Sequence, residues 1–225
     1  MRLNQFLARA TGMSRRGADQ ALASGRISVN GQVATLGQQI DPAKDLVESD
    51  NKTLELAPAI TIILNKPVGL VTSRRGQGSG TIYDLLPKDL QNLKPAGRLD
   101  KGSSGLLVLT NDGALAQSLI HPSRAKTKCY QVRLDRALEP ADRMSLETGV
   151  QLREGLSVIK VTRQQHNRIE VELQTGWNRQ IRRTFEALGY QVLSLHRTSI
   201  GPLQLGQLKP GQWRDLSEQE QSWLD

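Results

Sequence analysis

The chain has 225 residues, of which 37% are hydrophobic and 4% aromatic, and its formal net charge is +8 at pH 7. This length is enough for one large domain or for a small and a medium domain. The positive charge favours an anionic partner, most commonly nucleic acid, the alternative being charge that serves only solubility. One cysteine excludes an internal disulfide framework, and arginines interrupt the N-terminal apolar residues, which excludes a secretory signal there. No stretch approaches the ~20 apolar residues of a membrane span, so we expect a cytoplasmic protein without membrane association.

The first 57 residues are expected to form a small separate unit. The apolar residues of its first helix recur at helical spacing and are Leu3, Phe6, Leu7 and Ala10. Gly12 is placed to end this helix, and Ser14 is placed to cap a second one. The dipeptide Asn30-Gly31 lies within the alternating stretch ISVNGQVA and is a strong signal for a tight β-hairpin.

Charge is distributed unevenly in this unit. Residues 1–35 carry one acidic residue, Asp19, and five arginines, which are Arg2, Arg9, Arg15, Arg16 and Arg26. Arg15 and Arg16 fall at the start of the second predicted helix, where the helix dipole disfavours cations, so local stability does not explain them. We therefore expect the arginines to form a basic face that contacts RNA phosphates, the alternative being a solvated face without a ligand.

Pro58 interrupts the pattern, and a larger unit is expected from residue 60 to residue 225. The run ITIILNKP predicts a buried strand that ends at Pro67, and the Gly- and Ser-rich segment 73–80 predicts a mobile basic loop. That loop lacks the Gly-Lys-Ser/Thr ending of a nucleotide-binding P-loop, which excludes this function for it. Thr81 is placed to cap a short helix in TIYDLLP.

Strands and helices alternate over the rest of the chain. GLLVLT (105–110) predicts a central strand, and ALAQSLIHP predicts a helix that ends near Pro122. CYQVRL and RIEVELQT alternate as strands, NRQIRRTFEALG predicts a helix that ends at Gly189, and YQVLSLHR returns as a strand. Because several strands are linked too closely for parallel crossovers, we predict an α+β fold. It consists of a small N-terminal α/β domain and a second domain built on a mostly antiparallel mixed sheet flanked by helices.

One carboxylate stands out in the segment GRLDKGSSGLLVLTNDG, which runs from Gly97 to Gly113. Asp100 lies there among glycines and serines, just before the predicted central strand. Glycine permits sharp turns and close backbone approach, so a carboxylate on such a loop is held rigidly, as a catalytic group should be. A turn aspartate that only binds nearby backbone N–H groups is equally compatible with the residues alone.

A basic cluster lies further along the chain, in TGWNRQIRR. Its arginines, Arg179, Arg182 and Arg183, crowd one turn at the start of a predicted helix. Like charges there repel each other and oppose the helix dipole. At least one of them is therefore expected to meet an anion, either a phosphate or a carboxylate such as Asp100. A solvated basic face is the alternative.

A second cluster, SRAKTKCYQVR (123–133), contains four basic residues, among them Lys128, and one aromatic residue, Tyr130. Cations interleaved with an aromatic ring suit an unstacked RNA base, with the cations on the backbone and the ring stacked on the base. The residues alone leave a core position for Tyr130 equally open.

Once these residues are considered together, GRLDKGSSGLLVLTNDG resembles the signature of the pseudouridine synthases that modify ribosomal RNA. Further segments resemble motifs of the same family in the same order: LNKPVGLVTS, KCYQV, and TGWNRQIRRTF followed by LHRTSIG. The N-terminal unit, with SRRGADQALASGRISVNG, resembles a small RNA-binding domain shared by some ribosomal proteins, tyrosyl-tRNA synthetases and these synthases. The resemblance covers nearly the whole chain.

The resemblance implies that the protein isomerises a uridine to pseudouridine within RNA. Asp100 matches the family's nucleophile, Arg182 the arginine that pairs with this aspartate, and Tyr130 the tyrosine that stacks against the target base. Contacts to the RNA substrate are expected from Ile181, Arg98, Lys128, Arg179 and Arg183. Lys66 and Arg197 fall within family motifs, but no role is carried over to them.

The implied reaction replaces the bond from ribose to a base nitrogen by a bond to base carbon 5. It is redox-neutral and hydrolyses nothing, so we expect no cofactor and no metal. The expected partner is a stem-loop of ribosomal RNA, free or within an assembling subunit, bound by a monomeric enzyme. The motif NRQIRR resembles that of the enzymes that modify large-subunit ribosomal RNA. The corresponding motif of the small-subunit enzyme tends to carry lysine in place of the arginine. The alternatives are a small-subunit enzyme and a non-catalytic ribosome-associated RNA-binding protein.

Overall fold

The computed structural model describes residues 1–76, 78–121 and 126–224. Its N-terminal part consists of α1 (Leu3–Thr11), α2 (Arg15–Ala23), β1 (Ile27–Val29), β2 (Gln32–Val33), β3 (Val47–Ser49) and β4 (Lys52–Thr53). The four strands form an antiparallel sheet in the order β2-β1-β3-β4. Apolar side chains of both helices and of β1 and β3 share one core.

Local sequence explains where these elements begin and end. Gly12 follows α1 in the left-handed conformation (φ 76°), and Ser14 caps α2 by accepting a hydrogen bond from the Gly17 N–H at 3.0 Å. Asn30 and Gly31 have positive φ values of 52° and 78°, as a tight hairpin between β1 and β2 requires. The two predicted helices and the predicted hairpin are confirmed.

The rest of the chain folds around a large mixed sheet. The strands of this part of the chain are β5 (Thr61–Lys66), β6 (Lys94–Ala96), β7 (Ser104–Thr110), β8 (Lys128–Leu134), β9 (Val150–Leu152), β10 (Gly155–Ser157), β11 (Lys160–Gln165), β12 (Arg168–Leu173), β13 (Val192–Ile200), β14 (Leu203–Gln204) and β15 (Trp213–Asp215). Its helices are α3 (Gly113–Ile120), α4 (Pro140–Thr148), α5 (Gln180–Ala187) and α6 (Glu218–Leu224), with short 3-10 helices at Ile82–Leu85 and Lys88–Leu90.

The strands of the large sheet run in the order β11-β12-β8-β13-β7-β5-β15, with β14 added to β13 and β6 added to β7. Within the described residues, β7 and β13 form its one parallel pair, in which Ser104 lies opposite His196 and Gly105 opposite Arg197. Strands β9 and β10 form a separate hairpin. The predicted α+β fold with a mostly antiparallel mixed sheet is confirmed.

The large sheet is covered on both faces at its centre and on one face towards β11. On β5, Ile62 packs into a core shared with α4 and α5, whereas its neighbour Ile63 packs into a second core with α3 and α6. On β8, Val132 belongs to the first core, but the alternate residues Gln131 and Arg133 are exposed. Alternate residues of a strand point to opposite faces, so this end of the sheet has one bare face.

Several elements were not predicted from the sequence, including α4, the β9–β10 hairpin, β11 and α6. Leu146 is the one buried residue of α4, and α6 buries none, so neither presents a helical apolar pattern. Strand β11 alternates imperfectly because its register shifts between Val161 and Arg163. No helix in the described ranges is long and apolar enough to cross a membrane.

Candidate active site

The loop that carries Asp100 joins β6 to β7 and is fixed through its backbone. Lys66, the last residue of β5, is fully buried. Its Nζ donates hydrogen bonds of 2.9, 3.1 and 2.8 Å to the backbone carbonyls of Pro67, Asp100 and Ser103. The Thr72 hydroxyl donates to the Leu99 carbonyl at 2.8 Å. The segment LNKPVGLVTS therefore acts as the support of the Asp100 loop.

Lys66 was assigned no role from the sequence. Burial lowers the pKa of Lys66 to about 8, and the nearby charge of Asp100 opposes this shift. A buried cation is retained at such a cost where its hydrogen bonds organise other groups. The signal available in the sequence was a lysine at the end of the otherwise apolar strand ITIILNK.

The predicted direct pairing of Arg182 with Asp100 is absent from the structure. Within the described residues Arg182 forms no ion pair; its Nη1 donates to the Val192 carbonyl at 2.8 Å and its Nη2 to the Gly102 carbonyl at 2.6 Å. Burial and the charge of Arg179 lower the pKa of Arg182, whereas the charge of Asp100 raises it. Arg182 therefore binds the backbone of the loop and acts on Asp100 through space, because two carbonyls occupy its terminal nitrogens.

Tyr130 and Arg197 lie on adjacent strands and form one wall of the site. Both are buried, with 8% and 4% of their surface exposed. Arg197 donates from Nε to the Leu106 carbonyl at 2.7 Å and from Nη1 to the Tyr130 hydroxyl at 3.4 Å. Its buried Nη2 has no hydrogen-bond partner in the part of the chain that the structure describes, so this donor is available to a ligand. Arg197 had no role in the sequence analysis, although an arginine on a predicted strand was a usable signal.

Gly105 allows β13 to bring Arg197 to this position. Gly105 has a φ of 105°, and a Cβ atom there would overlap the backbone of Arg197 on the neighbouring strand. Any larger residue would push β7 and β13 apart. The glycine thus sets the spacing between the Asp100 loop, which precedes β7, and the wall formed by Tyr130 and Arg197.

These side chains meet at a cavity of about 440 Å³, a volume typical of small-ligand pockets. Its lining includes Asp100, Tyr130, Lys128, Ile181, Arg179 and Arg197. Lys128 donates to two backbone carbonyls at 3.1 Å each, and burial, assisted by the charge of Arg197, lowers its pKa. Asp100 is the one carboxylate among the described lining residues, and no cluster of three or more metal-binding side chains is found in those same ranges.

The remaining predicted substrate contacts differ in position. Arg98 and Arg179 are exposed and line the cavity, the latter in the left-handed conformation (φ 50°) at the start of α5. Arg183 does not line it, because its two terminal nitrogens donate to the Glu154 carboxylate at 2.9 and 3.0 Å. One arginine of this cluster therefore meets a carboxylate, as expected, and this carboxylate is Glu154 rather than Asp100. The contact of Arg183 with the substrate stays a prediction.

Parts of two predicted basic segments lie outside the described residues. Gln77 belongs to the predicted loop 73–80. Positions 122–125 include Pro122, near which the helix in ALAQSLIHP was predicted to end, and the start of the segment 123–133. In the described part of the loop 73–80, Arg74 donates to the Gln91 carbonyl at 2.8 Å, and its guanidinium lies 4.5 Å from the centre of the Tyr83 ring. Arg74 therefore anchors this loop to the body of the domain.

Four of the five N-terminal arginines are exposed; these are Arg2, Arg15, Arg16 and Arg26. Arg9 is half-buried, and its Nε donates to the Ala57 carbonyl at 3.0 Å. This bond attaches α1 to the segment that leads into the larger unit. A bond between the two units runs from Lys94 Nζ on β6 to the Met13 carbonyl at 3.2 Å. Arg9 therefore differs from the other four in being half-buried and bonded to a distant part of the chain, whereas Arg26 donates only to the nearby Ser24 hydroxyl at 3.0 Å.

A cavity with one carboxylate, an aromatic wall and several cations, on a chain that also carries a small unit with exposed arginines, defines an enzyme that acts on RNA. A family model described as S4 domain matches residues 1–47, and one described as RNA pseudouridylate synthase matches residues 60–187. The chain belongs to the RNA pseudouridylate synthase family, whose members convert uridine to pseudouridine within RNA.

Relatives match nearly the whole chain. An RNA pseudouridine synthase of Aquifex aeolicus (strain VF5), described as uncharacterized, is 34% identical over 100% of this chain and 93% of its own length. The dual-specificity RNA pseudouridine synthase RluF of Escherichia coli (strain K12) is 34% identical over 98% of this chain and 77% of its own length. The ribosomal large subunit pseudouridine synthase B of Bacillus subtilis (strain 168) is 34% identical over 97% of this chain and 93% of its own length. The crystal structure of a pseudouridylate synthase superposes over 100% of both chains with a TM-score of 0.73 and 29% identity.

Proposed function

We propose that this enzyme isomerises one uridine of large-subunit ribosomal RNA, with Asp100 as the nucleophile. The observation that carries the assignment of Asp100 is its position as the one carboxylate among the described residues that line the cavity, on a loop held by Lys66 and Arg182. Its side chain accepts no hydrogen bond within the described residues, so both oxygens are available to react. A carboxylate in this state is a competent covalent nucleophile.

The chemistry is an internal transfer of the base. Asp100 attacks either the ribose carbon that bears the base or an electron-poor carbon of the uracil ring, and the bond between ribose and base nitrogen breaks. The base then turns, its carbon 5 bonds to the ribose carbon, and the carboxylate is released. Carbon 5 loses its proton and the freed nitrogen gains one, so the product is an isomer of the substrate and no electrons are exchanged.

Tyr130 and Arg197 are proposed to hold the uracil and to assist proton transfer. The Tyr130 ring offers a face for stacking, and Ile181 offers an apolar surface in the same cavity. Arg197 lies beside the Tyr130 hydroxyl and has a free buried Nη2, which suits a carbonyl oxygen of the base. The Tyr130 hydroxyl lines the same cavity, so it is placed to assist the loss of the carbon-5 proton.

Ribosomal RNA is proposed as the substrate on three grounds. The net charge of +8 and the N-terminal S4 domain suit a structured RNA partner. A relative with 34% identity carries the name ribosomal large subunit pseudouridine synthase B. We propose a stem-loop of the assembling large subunit as the target and a monomer as the acting form. The uridine must leave its stack to enter the cavity, at a cost of a few kcal/mol.

The test replaces Asp100 with asparagine, which keeps the shape and removes the nucleophile. We expect Asp100→Asn to abolish tritium release from ribosomal RNA labelled at uridine carbon 5, while RNA affinity stays within about twofold because the charge lies inside the cavity. Asp112→Asn is the matched control, because Asp112 caps α3 outside the cavity and asparagine caps a helix as well as aspartate does. Substantial turnover by Asp100→Asn would contradict the assignment of the nucleophile. Mapping of pseudouridines in a strain that lacks the protein identifies the target and tests the assignment to the large subunit.

A further inference from the structure

The bare face of the large sheet carries a second groove, which we call the back groove. It has a volume of about 580 Å³ and lies on β11, β12, β8 and β13. On β8, Tyr130 lines the active-site cavity, whereas the next residue, Gln131, lines the back groove. Alternate residues of a strand point to opposite faces, so the sheet itself separates the two sites.

Two rows of facing residues cross the back groove from strand to strand. The first row is formed by Gln165, Arg168, Arg133 and Ser194. The second row is formed by Arg163, Glu170, Gln131 and His196. His196 is hydrogen-bonded through Nδ1 to the Ser104 hydroxyl at 2.8 Å, and burial lowers its pKa, which favours the neutral ring. The two rows therefore contain three permanent positive charges and one negative charge.

Irregularities in the sheet place two of these residues in the groove. Regular alternation along β11 would put Arg163 on the same face as the buried Val161. The register shift between them sets Arg163 opposite Glu170 and turns it to the open face. A similar shift on β13 turns Ser194 away from the face of the buried Val192. Bulges of this kind commonly re-aim a side chain towards a site.

Two arginines of the back groove, Arg133 and Arg168, are placed against local stability. Arg168 and Arg133 are direct cross-strand partners, and like charges at such positions repel each other. No hydrogen bond or ion pair engages the side chain of Arg133, Arg163 or Arg168 within the described ranges. In those ranges Arg163 faces Glu170 without forming an ion pair, whereas Arg133 and Arg168 face each other, so an anion between these two would replace their repulsion with attraction.

We propose that the back groove binds the sugar-phosphate backbone of a second segment of the RNA whose uridine enters the active-site cavity. This inference rests on the proposed function for the identity of the RNA. Arginine binds phosphate through two parallel hydrogen bonds, and glutamine and serine side chains commonly contact phosphate and sugar oxygens. No phenylalanine, tyrosine or tryptophan is among the described lining residues, so the groove offers no stacking platform for unpaired bases. The contact is therefore to the backbone and adds affinity without reading sequence.

The test compares two triple variants that each remove three positive charges. The groove variant carries Arg133→Gln, Arg163→Gln and Arg168→Gln, and the control carries Lys52→Gln, Lys88→Gln and Lys209→Gln at exposed positions elsewhere. Binding is measured by salt titration on two RNAs. One is a full-length large-subunit ribosomal RNA transcript, and the other is a hairpin too short to reach from the active-site cavity round the sheet to the back groove.

The groove variant is expected to bind the long transcript about 10-fold more weakly than the control. The slope of log affinity against log salt concentration is expected to be smaller in magnitude by about two. Hairpin affinity is expected to be the same for both variants. Thermal unfolding monitors folding, and we expect the groove variant to unfold at a temperature at or above that of the wild type, because the repulsion between Arg133 and Arg168 is removed.

Equal affinity and equal salt dependence of the two variants on the long transcript would overturn the proposal. So would a defect confined to ribosomal particles with normal binding to naked RNA, since this would assign the groove to a protein partner. The measurement needs no turnover, and Asp100→Asn is expected to retain the full salt dependence. A protein that makes no pseudouridine would refute the proposed function and leave the groove comparison valid.

Discussion

Asp100 is positioned by groups that bind the backbone of its loop rather than its carboxylate. Lys66 donates to the Asp100 carbonyl, Thr72 to the Leu99 carbonyl and Arg182 to the Gly102 carbonyl. The charges of Lys66 and Arg182 act on the carboxylate from a distance without a hydrogen bond to it in the described residues. This arrangement fixes the proposed nucleophile and keeps its oxygens free, whereas a direct ion pair would have to be broken before attack.

Lys66 gives stability a specific dependence on pH. Its pKa of about 8 in the folded protein lies below the ordinary value of 10.5, so the unfolded chain binds more protons between these values. Stability therefore rises with pH across that window. Relative to Lys66→Met, the free energy of unfolding of the wild type should increase by about 2–3 kcal/mol from the bottom to the top of the window. Urea unfolding at a series of pH values measures this difference.

The exposed lysine of the same loop provides the control for this prediction. Lys101→Met is this control, because Lys101 is exposed, donates to the Ser79 hydroxyl and holds none of the three backbone carbonyls that Lys66 binds. Parallel curves for wild type and Lys66→Met would contradict the assigned pKa. At any pH, Lys66→Met should also slow the single-turnover reaction, because three backbone carbonyls lose their common donor.

The sequence singled out the residues proposed to react and Arg182, but not the other groups that hold the site together. Asp100 and Tyr130 stood out through a glycine-bearing loop and a basic strand, which are local signals. Lys66 and Arg197 act through carbonyls 34 and 91 residues away along the chain. Such contacts depend on how β5, β7 and β13 are arranged in the sheet, and this arrangement is not encoded in the spacing of nearby residues.

At the scale of elements, the strands predicted from the sequence are either continuous apolar runs, such as β5 and β7, or strands in which apolar and polar residues alternate. Tyr130, Val132 and Leu134 alternate cleanly with exposed residues on β8, so a period of two is visible in the sequence. Strand β11 loses this alternation at its bulge, and α4 buries only Leu146. Elements whose position is set by tertiary packing rather than by their own apolar pattern were therefore missed.

The close contact between β7 and β13 predicts that one added methyl group at Gly105 strongly lowers the stability of the protein. Gly105→Ala should destabilise the protein by roughly 2–4 kcal/mol, because the Cβ atom overlaps the Arg197 backbone and φ is positive. Gly69→Ala is the matched control: Gly69 also has a positive φ, but a Cβ atom there meets nothing within 4 Å. It should cost only about 1–2 kcal/mol of backbone strain. Chemical unfolding measures both values, and equal losses would show that strain rather than strand spacing determines the effect.

At the scale of the whole molecule, the N-terminal S4 domain is expected to supply affinity rather than catalysis. Arg15 and Arg16 are exposed at the start of α2, so each can contact a phosphate. The double variant Arg15→Ala, Arg16→Ala should bind a ribosomal RNA fragment more weakly. The slope of its log affinity against log salt concentration should be smaller in magnitude by roughly one to two. The single-turnover rate at saturating enzyme should barely change, because both residues lie outside the cavity.

The matched control removes two cations from the acidic half of the same domain. Lys44 and Lys52 are exposed, and Lys44 already lies 3.6 Å from the Asp41 carboxylate. Lys44→Ala with Lys52→Ala should leave the salt dependence within a few tenths of the wild-type value. An equal change in both double variants would mean that overall charge, rather than a basic face, determines RNA affinity.

The bonds from Arg9 to Ala57 and from Lys94 to Met13 have a consequence for target choice. The first holds α1 against the end of the small unit, and the second joins this unit to β6, which leads into the Asp100 loop. We propose that an RNA bound by the S4 domain is thereby presented to the cavity at a set distance. The reacting uridine would then be selected by its distance from the RNA segment that the S4 domain binds, without recognition of the bases in between.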